Sequence, residues 1–220
     1  TEDSTRHSAV QILCFLYKDS ENAKRAAELA ESMPFMAISR DFLLPVVTDG
    51  DRCYKETQSK VFNLVQFLEV AIGGMNVKLD SGKYAYTSEM QAALRDKQIA
   101  FLHLMFENGD FGFFDTHLHY IHKNQAMYYA KVGDNEKAIE HLRHAAEHAI
   151  RFIKHMCKEP YTSLLFRNMP AGSFATTGTN NDAAELLNSM RQPVFDNIRD
   201  TEAFKSIRDE LSAYAGKWDV

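Results

Sequence analysis

Apolar residues recur at a helical period almost from end to end of this chain, and no segment alternates as a half-buried strand requires. That feature restricts the fold to the all-α class. Residues 5–17 place Ala9, Ile12, Leu13 and Leu16 on one face, the spacing of a buried helix stripe. Asp19 and Ser20 offer caps for a helix over 21–33, where Ala23, Ala26, Ala27 and Ala30 permit close packing and Pro34 stands just past the end. A short helix is expected at 39–47, then a turn at Asp49-Gly50-Asp51. A long helix follows to Ile72, carrying Val61, Leu64, Val65 and Leu68, and Gly73-Gly74 stops it.

Ser88, with Gln91 three residues on, reads as a capping box for a helix over 89–107. Ile99, Phe101, Leu102, Leu104, Met105 and Phe106 make that helix apolar on most sides, which predicts a central position. Asn108-Gly109-Asp110 ends it. Two further helices, 113–131 and 135–157, are joined by Gly133-Asp134, and residues 170–181 read as a loop. Short helices near 182–190 and 201–214 close the chain. Residues 1–160 thus form a helical array, and 161–220 a loop and helices that pack on it, the whole being one continuous domain.

Composition narrows the function. The 220 residues carry a net charge of -5, which argues against binding nucleic acid directly through this segment. Cys14, Cys53 and Cys157 lie far apart with no C-x-x-C pair, which fits a reducing, cytoplasmic interior. No apolar run reaches the roughly 18 residues that cross a bilayer. The polar start, Thr-Glu-Asp-Ser-Thr-Arg-His, is not a signal peptide, and the missing initiator Met fits either trimming or an upstream domain.

Helix pairs with Gly-Asp turns suggest a solenoid. Its best unit runs from Gln125 to Ala145, and it resembles the tetratricopeptide repeat (TPR) through Ala126, Tyr129, Gly133, Ala138, Leu142 and Ala145. The small residues let paired helices approach, the aromatic fills the space between pairs, and glycine allows the tight turn. His122 and Gln125 depart from it, standing where the repeat usually carries an aromatic and a leucine, and Asn135 replaces a common tyrosine. Residues 5–34 match more weakly and 38–72 only in outline. The fold expected is a TPR-like array of antiparallel helix pairs with a short helical C-terminal tail.

The order of segments resembles more than the repeat. "AAELAESMPFMAISRDFLL", "AMYYAKVGDNEKAIEHLRHAAEHA" and "FDNIRDTEAFKSIRDEL" are together similar to the C-terminal TPR-like region of bacterial helix-turn-helix (XRE-type) transcriptional regulators. That resemblance implies a ligand-sensing or dimerising region behind a DNA-binding domain upstream of Thr1. It implies as partners a peptide or small-molecule effector, a partner protein or a second copy in a homodimer, with no membrane. A stand-alone TPR-type adaptor is the alternative.

Two motifs point to metal chemistry. His144-Ala-Ala-Glu147-His148 has the H-x-x-E-H form of an inverted zinc-protease signature, yet it lies inside the best repeat, where Ala145 is a packing position. Asp115-Thr-His117-Leu-His119 has the D-x-H-x-H form that opens metal-dependent amidohydrolase barrels, but the residues after it read helical and are too few for such a barrel. No phosphate loop, G-x-S-x-G elbow or dinucleotide fingerprint is present. No catalytic residue, metal ligand or cofactor is assigned, and the chain is not read as an enzyme.

Two binding surfaces are expected instead. The repeat register puts Tyr120, Lys123, Met127 and Lys131 on positions that line a concave groove, suited to an extended peptide with an acidic end. His141, His144, His148, Arg151 and His155 recur at +3, +4, +3 and +4 along one edge of the second helix. That edge is either a solvated boundary or a pH- and anion-responsive surface.

Overall fold

Caps and left-handed glycines cut the chain into helices. The computed structural model describes residues 49–155, 159–171 and 181–216, together with 22–31 and positions 6, 9–10, 12–13 and 16–17. The side chains at 23, 27, 30 and 155 lie outside the description, as do the helix expected at 39–47, Pro34, Cys14, Cys157 and the loop residues 172–180. Seven α-helices are described: α1 (Ala23–Glu31), α2 (Gly50–Gly74), α3 (Ser88–Met105), α4 (Phe114–Val132), α5 (Asn135–His155), α6 (Asp182–Ser189) and α7 (Glu202–Ser212). No strand occurs among the described residues, where pairing is limited to one bridge, Lys78 with Tyr84, in the turn between α2 and α3. The all-α class holds.

The chain divides into two compact units, Thr1–Lys60 and Val61–Val220. In the first, the described positions between 6 and 17 are helical, but the expected buried stripe is not buried: Ala9 and Leu13 are exposed, and Ile12 and Leu16 are each 60% exposed. Periodicity fixes which residues share a face, not whether anything covers it.

The second unit is built around α4 and α5. Gly133 takes the left-handed conformation (φ 83°) at the end of α4, and its N–H reaches the Tyr129 and Ala130 carbonyls. Asp134 follows at once as the cap of α5, its Oδ1 accepting from the Lys137 N–H at 3.2 Å. The Gly-Asp pair therefore makes the whole turn between two antiparallel helices. Along their contact, Ala126 and Ala130 of α4 meet Ala138, Leu142, Ala145 and Ala149 of α5 in one buried cluster. The C-terminal segment closes this cluster from the other side with Leu186, Met190, Phe195, Phe204, Ile207 and Leu211. Asn181 and Thr201 cap α6 and α7, each side chain accepting an amide three residues on.

A second, aromatic cluster holds the other end of α4. Phe62 and Val65 of α2, Leu102 and Phe106 of α3, Phe114 and Leu118 of α4, and Tyr161 and Phe166 interlock there, with the Phe106 and Phe166 rings stacked at 4.8 Å. This corrects two expectations. On α2 the buried positions are Gln58, Phe62, Val65 and Glu69, whereas Leu64 and Leu68 are exposed. On α3 only one side is covered and Leu104 is 71% exposed, so α4 and α5 are the central helices. Where a helix is apolar on several sides, its pattern cannot choose the buried one. The cap of α3 also lies one residue early: Thr87 Oγ1 accepts from the Met90 N–H at 3.3 Å, and Gln91 reaches back to the Tyr86 carbonyl.

Two glycines test this account by contrast. A Cβ on Gly133 would meet nothing, whereas on Gly112 (φ 54°) it would lie 2.5 Å from the hydroxyl of buried Tyr161. Gly133→Ala is expected to cost about 1 kcal/mol for the left-handed backbone alone. Gly112→Ala should cost about 3 kcal/mol, because the clash adds to the same backbone term. Urea midpoints of the two variants measure the difference, and equal losses would remove the close approach at Gly112.

Candidate functional site

Helix α4 buries an unusual number of polar side chains: Asp115, His119, His122, Lys123 and Gln125 are all buried. Each must find a partner, because an unpaired polar group out of water costs about 1–3 kcal/mol. The partners come from three directions. Towards α3, the Gln125 amide donates to the Ala92 carbonyl (3.0 Å) and to Asp96, and its oxygen accepts from Arg95 Nε at 2.9 Å. Towards α6, Lys123 Nζ lies 2.8 Å from Glu185 Oε1, and His119 Nε2 lies 3.0 Å from Glu185 Oε2. Burial works to raise the Glu185 carboxyl, but hydrogen bonds from His119 and Lys123 outweigh it and hold the group down at about 2.

Towards α5 the partners are histidines. His122 sits at the centre, its Nδ1 2.9 Å from His141 Nδ1 and its ring 5.1 Å from those of both His141 and His144. The His148 ring stacks on it at 5.6 Å. Burial first, and then the neighbouring imidazoles of His148, His141, His144 and His103, push His122 down to about 2, so it is neutral. His141 and His103 are lowered too, again chiefly by burial. His148 is further fixed by its Nδ1, 2.7 Å from Asp115 Oδ1, where both side chains are buried. Arg151, one turn on, brings Nε to 3.5 Å of the same carboxylate oxygen, donates to the Gly109 carbonyl and lies 5.5 Å over the Phe111 ring.

These groups line a cleft of about 660 Å³ bounded by Ile99 and His103 of α3, Gly109 and Phe111 of the following turn, His122 of α4, and His144, Glu147, His148, Ile150 and Arg151 of α5, with Glu210 of α7 at its edge. Apolar walls with a few convergent polar groups are the ordinary makeup of a small-ligand site. It is the candidate site.

Of the histidine edge read from the sequence, His144, His148 and Arg151 reach this cleft, while His141 stacks on Tyr129 (5.3 Å, 4° between planes) beside it. The side chain of His155 lies outside the described residues. Along the edge His148 is buried, and His141, His144 and Arg151 are half-buried. Of the groove residues, Tyr120 and Lys131 are exposed, Met127 is half-buried against the alanine-rich core, and Lys123 is buried with its charge committed to Glu185. They do not line one depression: Tyr120 borders one with Ile72, Gln98 and Ile121, whereas Met127 and Lys131 border another with Ser88, Tyr128 and Val194. The partner that neutralises Lys123, Glu185, lies 62 residues away in sequence.

The D-x-H-x-H residues do not converge. Asp115 faces His148, His117 faces Glu69, and His119 faces Glu185 and the Ala145 carbonyl. Sequence reasoning missed His122, His103 and Phe111 as parts of a site. His122 did leave a signal, as a histidine where the repeat carries an aromatic. Comparison with family models, curated proteins and solved structures yields no match. No helix among the described residues is long and apolar enough to cross a membrane.

Two outcomes follow for the Glu185 knot. Lys123→Ala leaves the Glu185 carboxylate half-paired beside buried His119, and should lower stability by about 3 kcal/mol. Because Glu185 is held below its ordinary 4.5, its stabilising share is complete above that pH and is lost as the pH falls from 4.5 towards 2. Discounted for a side chain 31% exposed, that share is about 2 kcal/mol. Denaturant midpoints between pH 6 and pH 2 should fall more gently for Glu185→Gln than for the unaltered protein. Parallel curves would place the acid sensitivity elsewhere.

Proposed function

We propose that the chain is a TPR-like helical module that senses an effector for, or dimerises, a cytoplasmic transcriptional regulator whose DNA-binding domain lies upstream. The observation that carries this reading is the α4–α5 hairpin together with the cleft on its flank. The hairpin follows the repeat at Ala126, Gly133, Ala138, Leu142 and Ala145, with the alanines and the leucine buried and the glycine left-handed. The cleft touches α3, α4, α5 and α7 at once, so a molecule seated there meets several helices of the unit together. A ligand that fits one mutual tilt of those helices better than another shifts the population towards it. In a helix-turn-helix dimer a change of tilt alters half-site spacing, and with it operator affinity. No direct contact with nucleic acid, no membrane and no catalysis is assigned to these residues.

The stand-alone adaptor reading draws on a different observation. Leu64, Phe67 and Leu68 stand exposed on one face of α2, the kind of apolar surface a protein partner covers. The coding region immediately upstream of Thr1 separates the two. A stretch with helix-turn-helix patterning is expected there, and operator binding by the whole protein should then respond to substitutions in the cleft. A start codon at or beside Thr1 would end the regulator reading and leave the adaptor.

A further inference from the structure

Two imidazoles in the cleft are hydrogen-bonded to carboxylates through Nδ1. His148 Nδ1 lies 2.7 Å from Asp115 Oδ1, and His144 Nδ1, one turn earlier on α5, lies 3.1 Å from Glu147 Oε2. A carboxylate accepts and does not donate, so each ring presents an Nδ1–H to it, and Nε2 is the nitrogen left to meet a ligand. Both rings line the same cleft, and His122 of α4 contacts both. Residues four apart share a helix face, the spacing at which paired histidines hold a metal ion on a helix. A hydrogen-bonded carboxylate behind a ligating imidazole fixes its orientation and raises the basicity of the free nitrogen.

The charge of the cleft also favours a cation. Glu147 and Glu210 line it, whereas Arg151, the one cation among its described lining residues, is occupied by Asp115, the Gly109 carbonyl and the Phe111 face. Among the described residues no three His, Cys, Asp or Glu side chains are arranged to hold an ion, so the site rests on the two imidazoles alone.

We propose that His144 and His148 chelate a divalent first-row transition ion through their Nε2 atoms, with water completing the coordination. Imidazole donors suit Cu²⁺, Ni²⁺ and Zn²⁺, and exclude Mg²⁺ and Ca²⁺, which take oxygen ligands. Asp115 is a positioning residue, holding the His148 ring from behind. This inference deepens the sensor reading by naming the effector class, and it rests on the cleft being the ligand site. It does not need the upstream domain.

The test titrates CuCl₂, NiCl₂, ZnCl₂ and MgCl₂ separately into the purified chain, by calorimetry and, for copper, by electron paramagnetic resonance. One site per chain is expected, tightest for copper and absent for magnesium, with nitrogen hyperfine splitting from two imidazoles. His144→Gln, at a half-exposed position that leaves the core intact, should weaken binding at least tenfold. Asp115→Asn should weaken it about tenfold while leaving both ligands in place, the scale typical of losing an outer-shell partner. His141→Gln, which removes a neighbouring imidazole that is not a ligand, should leave affinity within about twofold. No binding of any of the three transition ions, or affinity unchanged by His144→Gln, overturns the proposal. A non-metal effector that binds and is lost on His144→Gln, while all three ions fail to bind, would overturn the metal and leave the sensor reading standing.

Discussion

The close approach of α4 and α5 is the constraint on which the rest of the second unit depends. Ala126, Ala130, Ala138, Ala145 and Ala149 are 5% exposed or less, and side chains this small bring two helix backbones nearer than leucines would allow. The cost of such a seam is that alanines bury little apolar area each. The unit recovers that area at both ends of the hairpin, in the phenylalanine cluster around Phe106, Phe114 and Phe166 and in the cap of α6 and α7.

Tight packing at the seam also decides what happens on its flanks. Long side chains next to the alanines are drawn under neighbouring elements instead of into solvent, and α4 carries polar ones there. Gln125 reaches α3, His119 and Lys123 reach Glu185, and His122 reaches the imidazoles of α5. These ties are directional, so they fix the register of α4 against three neighbours in a way that apolar contact alone does not. A buried histidine cluster with one carboxylate behind His148 is the part of that network left facing a cleft.

Much of this architecture was legible in the residues. Gly133-Asp134 marks the hairpin turn because a left-handed residue followed at once by a capping side chain reverses two helices in so short a span. Ala126, Ala138, Leu142 and Ala145, placed on apolar faces by their helical spacing, are buried, and Thr201 and Asn181 begin the last helices where the polar punctuation falls. What the sequence does not carry is the far partner. Nothing local to Lys123 announces Glu185, and nothing local to His148 announces Asp115, so a groove cation and a boundary histidine were the natural readings of both. The exposed Ile12, Leu16 and Leu104 show the same limit from the apolar side.

The Asp115–His148 contact sets which nitrogen of the His148 ring is turned to the cleft, as the Glu147–His144 contact does for His144. Long-range ¹H–¹⁵N correlation spectra of the histidine rings at neutral pH measure that directly. His148 and His144 should each appear protonated at Nδ1 with a bare Nε2, and Asp115→Asn should disturb the His148 pattern while leaving that of His144. A His148 ring protonated at Nε2, or one unaffected by the Asp115 substitution, would contradict it.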